Sequence, residues 1–318
     1  MQELMFSVLV VTYNQEKYIA QTLDSILNQV HNYKYEIVIG EDCSIDNTKK
    51  IIEEYVEKYP DIIKPIYNNP NRGLINNYFN VIAHCKGKYI MQCAGDDYWL
   101  PGKVTRQIEF MESNLDVGMC YSKARVWNEN KQKFEKNISG SAIKSFEFLL
   151  TNGNSIPALT VCLRSNIIKN YICEIKPQEK NWLMEDYPMW LYFSHESKIK
   201  FFDKETAVYR VLEDSASHST DINKMIKFEE SVYDIRQFYN QKFGLNLELK
   251  VNYPFIISQL LNKLSEKYEK KLAKDVRLIC KMQSFSLKNS IYYICSYSFV
   301  LLNILFILKK GIKLWKKN

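Results

Sequence analysis

Lys88-Tyr89-Ile90-Met91-Gln92-Cys93-Ala94-Gly95-Asp96-Asp97-Tyr98-Trp99 decides how the rest of the chain is read. The apolar run from Lys88 to Cys93 predicts a buried strand. Gly95 breaks that strand and two adjacent carboxylates follow. Tyr98 and Trp99 add bulk before Pro101-Gly102 turns the chain into a helix. Carboxylates at the C-terminal end of a parallel strand lie where open α/β sheets bind ligands. Hard oxygen ligands there suit Mg2+ or Mn2+, which can bridge a diphosphate. The alternative is a solvated turn, because Asp and Gly favour turns.

Upstream, Phe6 to Thr12 is a continuous β-branched run, the pattern of a strand buried on both faces. Tyr13 to Glu16 is a loop, and Ile19, Leu23, Ile26 and Leu27 then share one face of a helix. A second strand, Tyr35 to Gly40, ends in Glu41-Asp42-Cys43-Ser44. Ser44 to Thr48 holds several N-cap candidates, and a helix follows from Lys49 to Lys58. A third strand, Ile62 to Tyr67, and a helix from about Leu74 to Cys85 lead back to the opening stretch. Strand–helix alternation with short loops predicts a doubly wound, mostly parallel sheet. Polar residues collect at three strand ends, Thr12-Tyr13-Asn14, Glu41-Asp42 and Asp96-Asp97, and strand C-termini converge on one crevice. No G-x-G-x-x-G follows the first strand and no G-x-x-x-x-G-K-[ST] occurs, so a nucleotide would be held by carboxylates and metal.

These residues resemble family 2 glycosyltransferases of the GT-A fold. The matching segments are Ser7 to Asn14, Glu41 to Thr48, Asn71-Arg72-Gly73 with Asn77, Gly87 to Ile90, and Gly95 to Trp99. Their order and spacing match over roughly the first 115 residues. The resemblance implies a Rossmann-like, mostly parallel sheet flanked by helices. It implies that Thr12, Tyr13, Asn14 and Asp42, with Glu16 nearby, hold the nucleotide base and ribose. Asn77 and Asp97 join the nucleotide-sugar set, and Asp96 aligns with the metal ligand of the family's D-x-D motif. This chain departs from many relatives in carrying Ala94 where they have an acid two residues before that ligand.

In the middle of the chain, Val117 to Trp127 reads as a strand, Asn128 to Ser141 as a polar irregular loop, Phe146 to Leu150 as a short helix and Ala158 to Leu163 as another strand. Glu185-Asp186 then stands among apolar residues at a helix start with Pro188 in the first turn. Two acids there could simply complement the helix dipole. The resemblance continues at this pair and implies that Asp186 is the general base, with Glu185 beside it. A carboxylate must take the proton of an attacking sugar hydroxyl, and a divalent cation offsets charge on the leaving diphosphate. Val208 to Arg210 ends a strand. The loop Ser215 to Ser219 resembles the family's flexible loop, in which His218 completes the metal shell or contacts phosphate; a solvated histidine is the alternative.

Composition bounds the rest. At 46% hydrophobic and 25% charged the chain is globular, and 318 residues allow one large domain or one domain with a smaller module. Twenty-two Tyr suit sugar sites, but a large core uses such rings too. The eight Cys form no C-x-x-C pair, which argues against structural zinc. No signal-like segment precedes Phe6, so a cytoplasmic body is expected. The net charge of +7 thickens toward the C-terminus, pointing to an anionic membrane surface, and no nucleic-acid motif accompanies it. Ile291 to Leu308 has 18 residues without formal charge, flanked by lysines. As a helix it would be about 27 Å long, slightly under a bilayer core of roughly 30 Å. Asn289, Ser296, Asn303 and Lys310 form a narrow polar stripe. A spanning helix would carry the lysine-rich tail across, against the positive-inside tendency, so a helix lying in the inner membrane surface is expected. A core helix of the soluble protein is the alternative.

The expected organisation is thus a glycosyltransferase domain over residues 1–220, a helical extension over 221–288 and a membrane-associating tail over 289–318. The expected reaction is metal-dependent, inverting transfer from a nucleotide sugar, a UDP-sugar, to a glycan or glycolipid acceptor of a surface polysaccharide or lipopolysaccharide. A non-catalytic nucleotide-sugar-binding subunit, suggested by Ala94, and a nucleotidyltransferase are the competing readings.

Overall fold

The computed structural model describes residues 3–212, 221–266, 269–282, 291–294, 296, 298 and 301. The chain divides into two compact units, Met1–Ser215 and Ala216–Asn318.

The first unit begins with β1 (Leu4–Thr12), α1 (Ile19–Leu27), β2 (Lys34–Glu41), α2 (Thr48–Lys58), β3 (Ile63–Tyr67), α3 (Leu74–His84) and β4 (Tyr89–Gln92). These strands pair in parallel in the order β3-β2-β1-β4. Their β-branched runs are buried on both faces: Val8, Val10, Ile37 and Ile39 have no exposed surface and share one cluster with Ile19 and Leu23 of α1. The order reverses direction at β1, so the crevice opens outside the C-terminal ends of β1, β2 and β4.

The remaining elements complete a mixed sheet. They are β5 (Tyr98–Trp99), α4 (Lys103–Ser113), β6 (Val117–Asn128), β7 (Lys133–Phe134), α5 (Phe146–Asn152), β8 (Cys162–Arg164), α6 (Ser165–Ile175), α7 (Asp186–Glu196) and β9 (Lys198–Val211). The sheet continues β4-β8-β6-β9-β5, with β8 antiparallel to both β4 and β6, and β6 parallel to β9. The result is a mixed sheet with flanking helices.

Two local expectations change. Residues 128–141 are not simply an irregular loop, because β7 folds back on β6 and Trp127 packs edge-on against Phe134 at 4.9 Å. Ala158 to Leu163 is not one strand. Ala158–Thr160 makes a 3-10 turn after Pro157, and the Thr160 hydroxyl bonds the Pro157 carbonyl at 2.7 Å, a local bond that competes with strand pairing. The described cysteines are free, and Cys93, Cys120 and Cys162 serve as small core hydrophobes.

The second unit contains α8 (Ile222–Lys242), α9 (Tyr253–Glu266) and α10 (Lys270–Met282). Ile256, Leu260, Val276 and Ile279 form its core, and Tyr292 is buried with them. Ser296 is also buried and accepts from the Arg277 guanidinium through its carbonyl at 3.2 Å. The expected boundary at 288 lies outside the described residues. Most of Ile291 to Leu308 lies outside the described residues. Among the described residues, no helix is long and apolar enough to cross a membrane.

Candidate active site

The crevice is built by the turn after β4. Cys93 N–H donates to the Leu9 carbonyl at 3.0 Å and Gly95 N–H to the Val11 carbonyl at 3.0 Å, so the turn runs on along β1 and sets Gly95-Asp96 beside Thr12. A Cβ on Gly95 would lie 2.6 Å from Thr12 Oγ1 and would overlap Gln15 Oε1, so only glycine fits this approach. The Thr22 hydroxyl, 2.9 Å from the Gly95 carbonyl and 2.6 Å from that of Asp97, ties the turn to α1.

Asp96 and Asp97 meet different environments at the end of a turn closed by Asp97 N–H on the Ala94 carbonyl at 3.0 Å. Asp96 is half-buried rather than fully exposed at its strand end. Burial raises its pKa, while its own backbone, the Arg210 charge and the Gln15 amide oppose the rise. Among the described residues its carboxylate makes no ion pair. Asp97 is 5% exposed and accepts the Arg210 backbone N–H at 2.8 Å. Burial, then the charge of Asp96, push its pKa well above the usual range. Asp97 therefore braces the turn to β9.

Arg210 locks this corner. Its Nε donates to the Asp96 carbonyl at 2.8 Å, one terminal nitrogen to Glu129 at 3.0 Å and the other to Gln21 at 2.6 Å. The guanidinium lies over the Tyr18 ring at 4.5 Å. It lends the site positive field without forming an ion pair with the Asp96 carboxylate.

The loops after β1 and β2 knit together beside this turn. Thr12 Oγ1 donates to Gln15 Oε1 at 2.7 Å. Asn14, in the left-handed region at φ 53°, donates its N–H to Ser44 Oγ and accepts Ile45 N–H on Oδ1 at 2.9 Å. Glu16 accepts both the backbone and side-chain N–H of Asn47, at 2.9 and 2.7 Å. Asp46, not Asn47, caps α2, accepting Thr48 N–H at 2.9 Å. The Tyr13 ring remains 47% exposed above these bonds.

Asp42 and Asn77 are both buried beside the loop after β2. Asp42 is 3% exposed and its carboxylate accepts Arg72 N–H at 2.8 Å, Gly73 N–H at 2.9 Å and the Asn68 amide at 3.0 Å. Asn77 is buried, donates to the Gly40 carbonyl and accepts from Asn68, both at 2.9 Å. Both shape the crevice wall from within the protein.

The second carboxylate pair stands at the start of α7. Asp186 Oδ1 accepts Tyr187 N–H at 2.6 Å and Oδ2 accepts the Asn154 amide at 2.9 Å. Burial raises both carboxyls, and the charge of Asp186 adds to the rise of Glu185, to about 8. Tyr78 of α3 feels both acids and donates its hydroxyl to Gln92 Oε1 at 2.7 Å. Gln92 ends β4, the strand that leads into the Gly95-Asp96 turn. His218 lies outside the described residues. Among those residues no group of three His, Cys, Asp or Glu side chains is placed to hold a metal. Asp96 fits a different kind of site, in which one carboxylate is joined by substrate phosphates and water, as Mg2+ and Mn2+ accept. Its desolvated oxygens, lacking an ion pair among the described residues, have the donor chemistry for that ion. Gln15, Arg210 and Asn154 were not singled out as site residues from the sequence.

Residues 7–170, more than half of the chain, match the profile described as Glycosyl transferase family 2. A protein of Bacillus subtilis (strain 168) assigned by name to the glycosyltransferases, EpsE, is 27% identical over 259 residues, covering 80% of this chain and 87% of that protein. The chain spans 45% of the length of uncharacterized mycobacterial relatives to which it is 32% identical over 155 residues. In fold it is similar to a Staphylococcus aureus TarS fragment in complex with UDP-GlcNAc, at TM-score 0.55 and 17% identity, covering 92% and 89% of the two chains. A mannosyltransferase of Pyrobaculum calidifontis in complex with GDP-Man and Mn2+ superposes at TM-score 0.54 and 12% identity, covering 96% and 87%. A GT-A fold and a family profile over residues 7–170 agree: this chain belongs to glycosyl transferase family 2.

Proposed function

We propose that the chain is an inverting, metal-dependent glycosyltransferase that moves a sugar from a UDP-sugar to a glycan acceptor. One observation carries this reading. The domain carries two acids in separate surroundings: Asp96 has no ion pair among the described residues, and Asp186 accepts the Asn154 amide and Tyr187 N–H, with its charge felt by Tyr78, whose hydroxyl bonds Gln92 at the end of the strand before Asp96. One carboxylate can hold a cation on the leaving diphosphate while the other receives the acceptor proton.

Tyr13 stacks on the base, while Thr12, Asn14 and Glu16 hold the loop that receives it. Asp42 and Asn77 keep the 68–73 turn in register with that loop. Asp96 would hold Mn2+ or Mg2+, which would supply charge neutralisation at the diphosphate. Asp186 takes the proton of the acceptor hydroxyl as it attacks the anomeric carbon, and the carbon–diphosphate bond breaks in the same displacement. Glu185, carrying a proton at neutral pH, leaves Asp186 the ionised member of the pair. The lysine-rich 302–318 segment brings the enzyme to an anionic membrane surface, which suits a lipid-linked acceptor of a surface polysaccharide or lipopolysaccharide and a cytoplasmic, peripheral location.

A thermal-shift screen against nucleotide sugars with and without Mn2+ tests the donor, because a ligand of the native state raises its stability. UDP-sugars should stabilise the protein more with Mn2+ present, and Asp96→Asn should erase the Mn2+ increment. An unchanged increment in that variant would remove Asp96 as the ligand. Ala94 favours one competing reading, a subunit that binds nucleotide sugar without turnover. Release of UDP from a UDP-sugar by the purified chain excludes it, and release of pyrophosphate instead would mark a nucleotidyltransferase.

A further inference from the structure

Asn154 stands in the short segment between α5 and the turn at Ala158. Gly153, at φ 89°, closes α5 by donating its N–H to the Leu149 carbonyl and swings the chain toward α7. Asn154 Oδ1 accepts Ile156 N–H at 2.9 Å, so its amide is fixed with Nδ2 toward Asp186 Oδ2 at 2.9 Å. The segment cannot drift from α7, because the Tyr187 hydroxyl donates to the Leu149 carbonyl at 3.0 Å.

The two acids at the start of α7 are thus treated unequally. Asp186 receives Tyr187 N–H and the Asn154 amide, and the Trp190 indole also favours its ionised form. Among the described residues, the hydrogen bond opposing the rise of Glu185 is with its own backbone. Two carboxyls this close in a desolvated place do not both ionise readily, and donors decide which one keeps the charge.

We propose that Asn154 is the positioning residue that makes Asp186, rather than Glu185, the ionised base of this pair. The inference rests on the glycosyltransferase reading above and adds to it the residue that divides the roles of the two acids. Three titratable groups surround Asp186: Glu185 on its own helix, Tyr78 from α3 and Tyr171 from α6. Burial holds both phenols well above their ordinary pKa, so they stay neutral through the working range.

The test is the pH profile of kcat for UDP-sugar transfer or hydrolysis in the wild type, Asn154→Ala, Asn154→Asp and Asp186→Asn. A donor to a carboxylate favours its ionised form, so losing it raises the pKa of the base and moves the rising limb to higher pH. Asn154→Ala should shift that limb upward by about one pH unit. Its kcat near neutrality should fall about tenfold and recover at high pH, with UDP affinity unchanged. Asn154→Asp replaces the donor with a like charge and should shift the limb further than Ala does. A residue that merely filled space would give the two variants the same loss at every pH. Coincident limbs in the wild type and Asn154→Ala, with Asp186→Asn inactive, overturn the role of Asn154 alone. Asp186→Asn turning over at wild-type rate overturns the base assignment itself.

Discussion

Gly95→Ala is the smallest change that should damage both the fold and the donor site. The backbone of Gly95 does not need glycine; the space does. The added Cβ would lie 2.6 Å from Thr12 Oγ1 and 2.8 Å from Thr12 Cβ. Ordinary contact begins near about 3.5 Å, so β1 and the turn must separate by roughly 0.7–0.9 Å. The Thr12–Gln15 bond at 2.7 Å cannot survive that shift, and Gln15 would leave Asp96. Overpacking of this kind costs about 1–3 kcal/mol, more than the few tenths to 1 kcal/mol that alanine recovers by stiffening the unfolded chain. Urea unfolding should show that loss as a lower midpoint at unchanged slope. Titration with UDP in Mn2+ should show affinity weakened about tenfold, the equivalent of about 1.4 kcal/mol. A variant with the wild-type midpoint and wild-type Mn2+-dependent affinity would refute the tight β1–turn approach as the organiser of the site.

Two other perturbations read different parts of the account. Burial lifts Glu185 from an ordinary 4.5 to about 8, so between those values the folded chain keeps a proton that the unfolded chain has released. The stability tied to that proton is therefore present below about 4.5 and lost as pH rises through about 8. Glu185→Gln should match the wild type in Tm near pH 5 and exceed it increasingly toward pH 9; a gap independent of pH would contradict the buried, protonated acid. Deleting residues 302–318 leaves Tyr292 and Ser296 in place in their cluster while removing five lysines. Each lysine near an anionic surface is worth about 1 kcal/mol, so binding to vesicles rich in anionic lipid should drop sharply and full-length binding should weaken with salt; equal binding by both forms would remove the segment as the membrane contact.

The parallel half of the sheet was legible because each strand is a β-branched run between polar stretches, and such a run can only be buried on both faces. Asp96 and the Glu185-Asp186 pair were legible as acids placed where an element begins or ends. What escaped the sequence came from distance and direction. Arg210 meets Gln21 across 189 residues, and Asn154 meets Asp186 across 32, with no periodicity to announce either contact. Asp96 and Asp97 are chemically identical neighbours, and only the pairing of Asp97 with the β9 backbone shows which one faces inward. Asp42 and Asn77 stand where the family pattern predicts, yet their polar atoms are committed to the 68–73 turn and to Gly40. Residues 128–141 read as polar loop because the Trp127–Phe134 pair that folds them back is split by a polar segment.

The central claim is that Asp186 accepts the acceptor's proton. Single-turnover and steady-state transfer by Asp186→Asn test it most directly, because the amide preserves size but cannot act as a base. General-base catalysis contributes on the order of 10²- to 10⁴-fold, so kcat should fall at least 100-fold. UDP affinity and its Mn2+ dependence should stay within about twofold of wild type, the pattern of an interaction made only in the transition state. Transfer at near wild-type rate by Asp186→Asn would contradict the account, and loss of activity in Glu185→Gln alongside it would hand the role to Glu185.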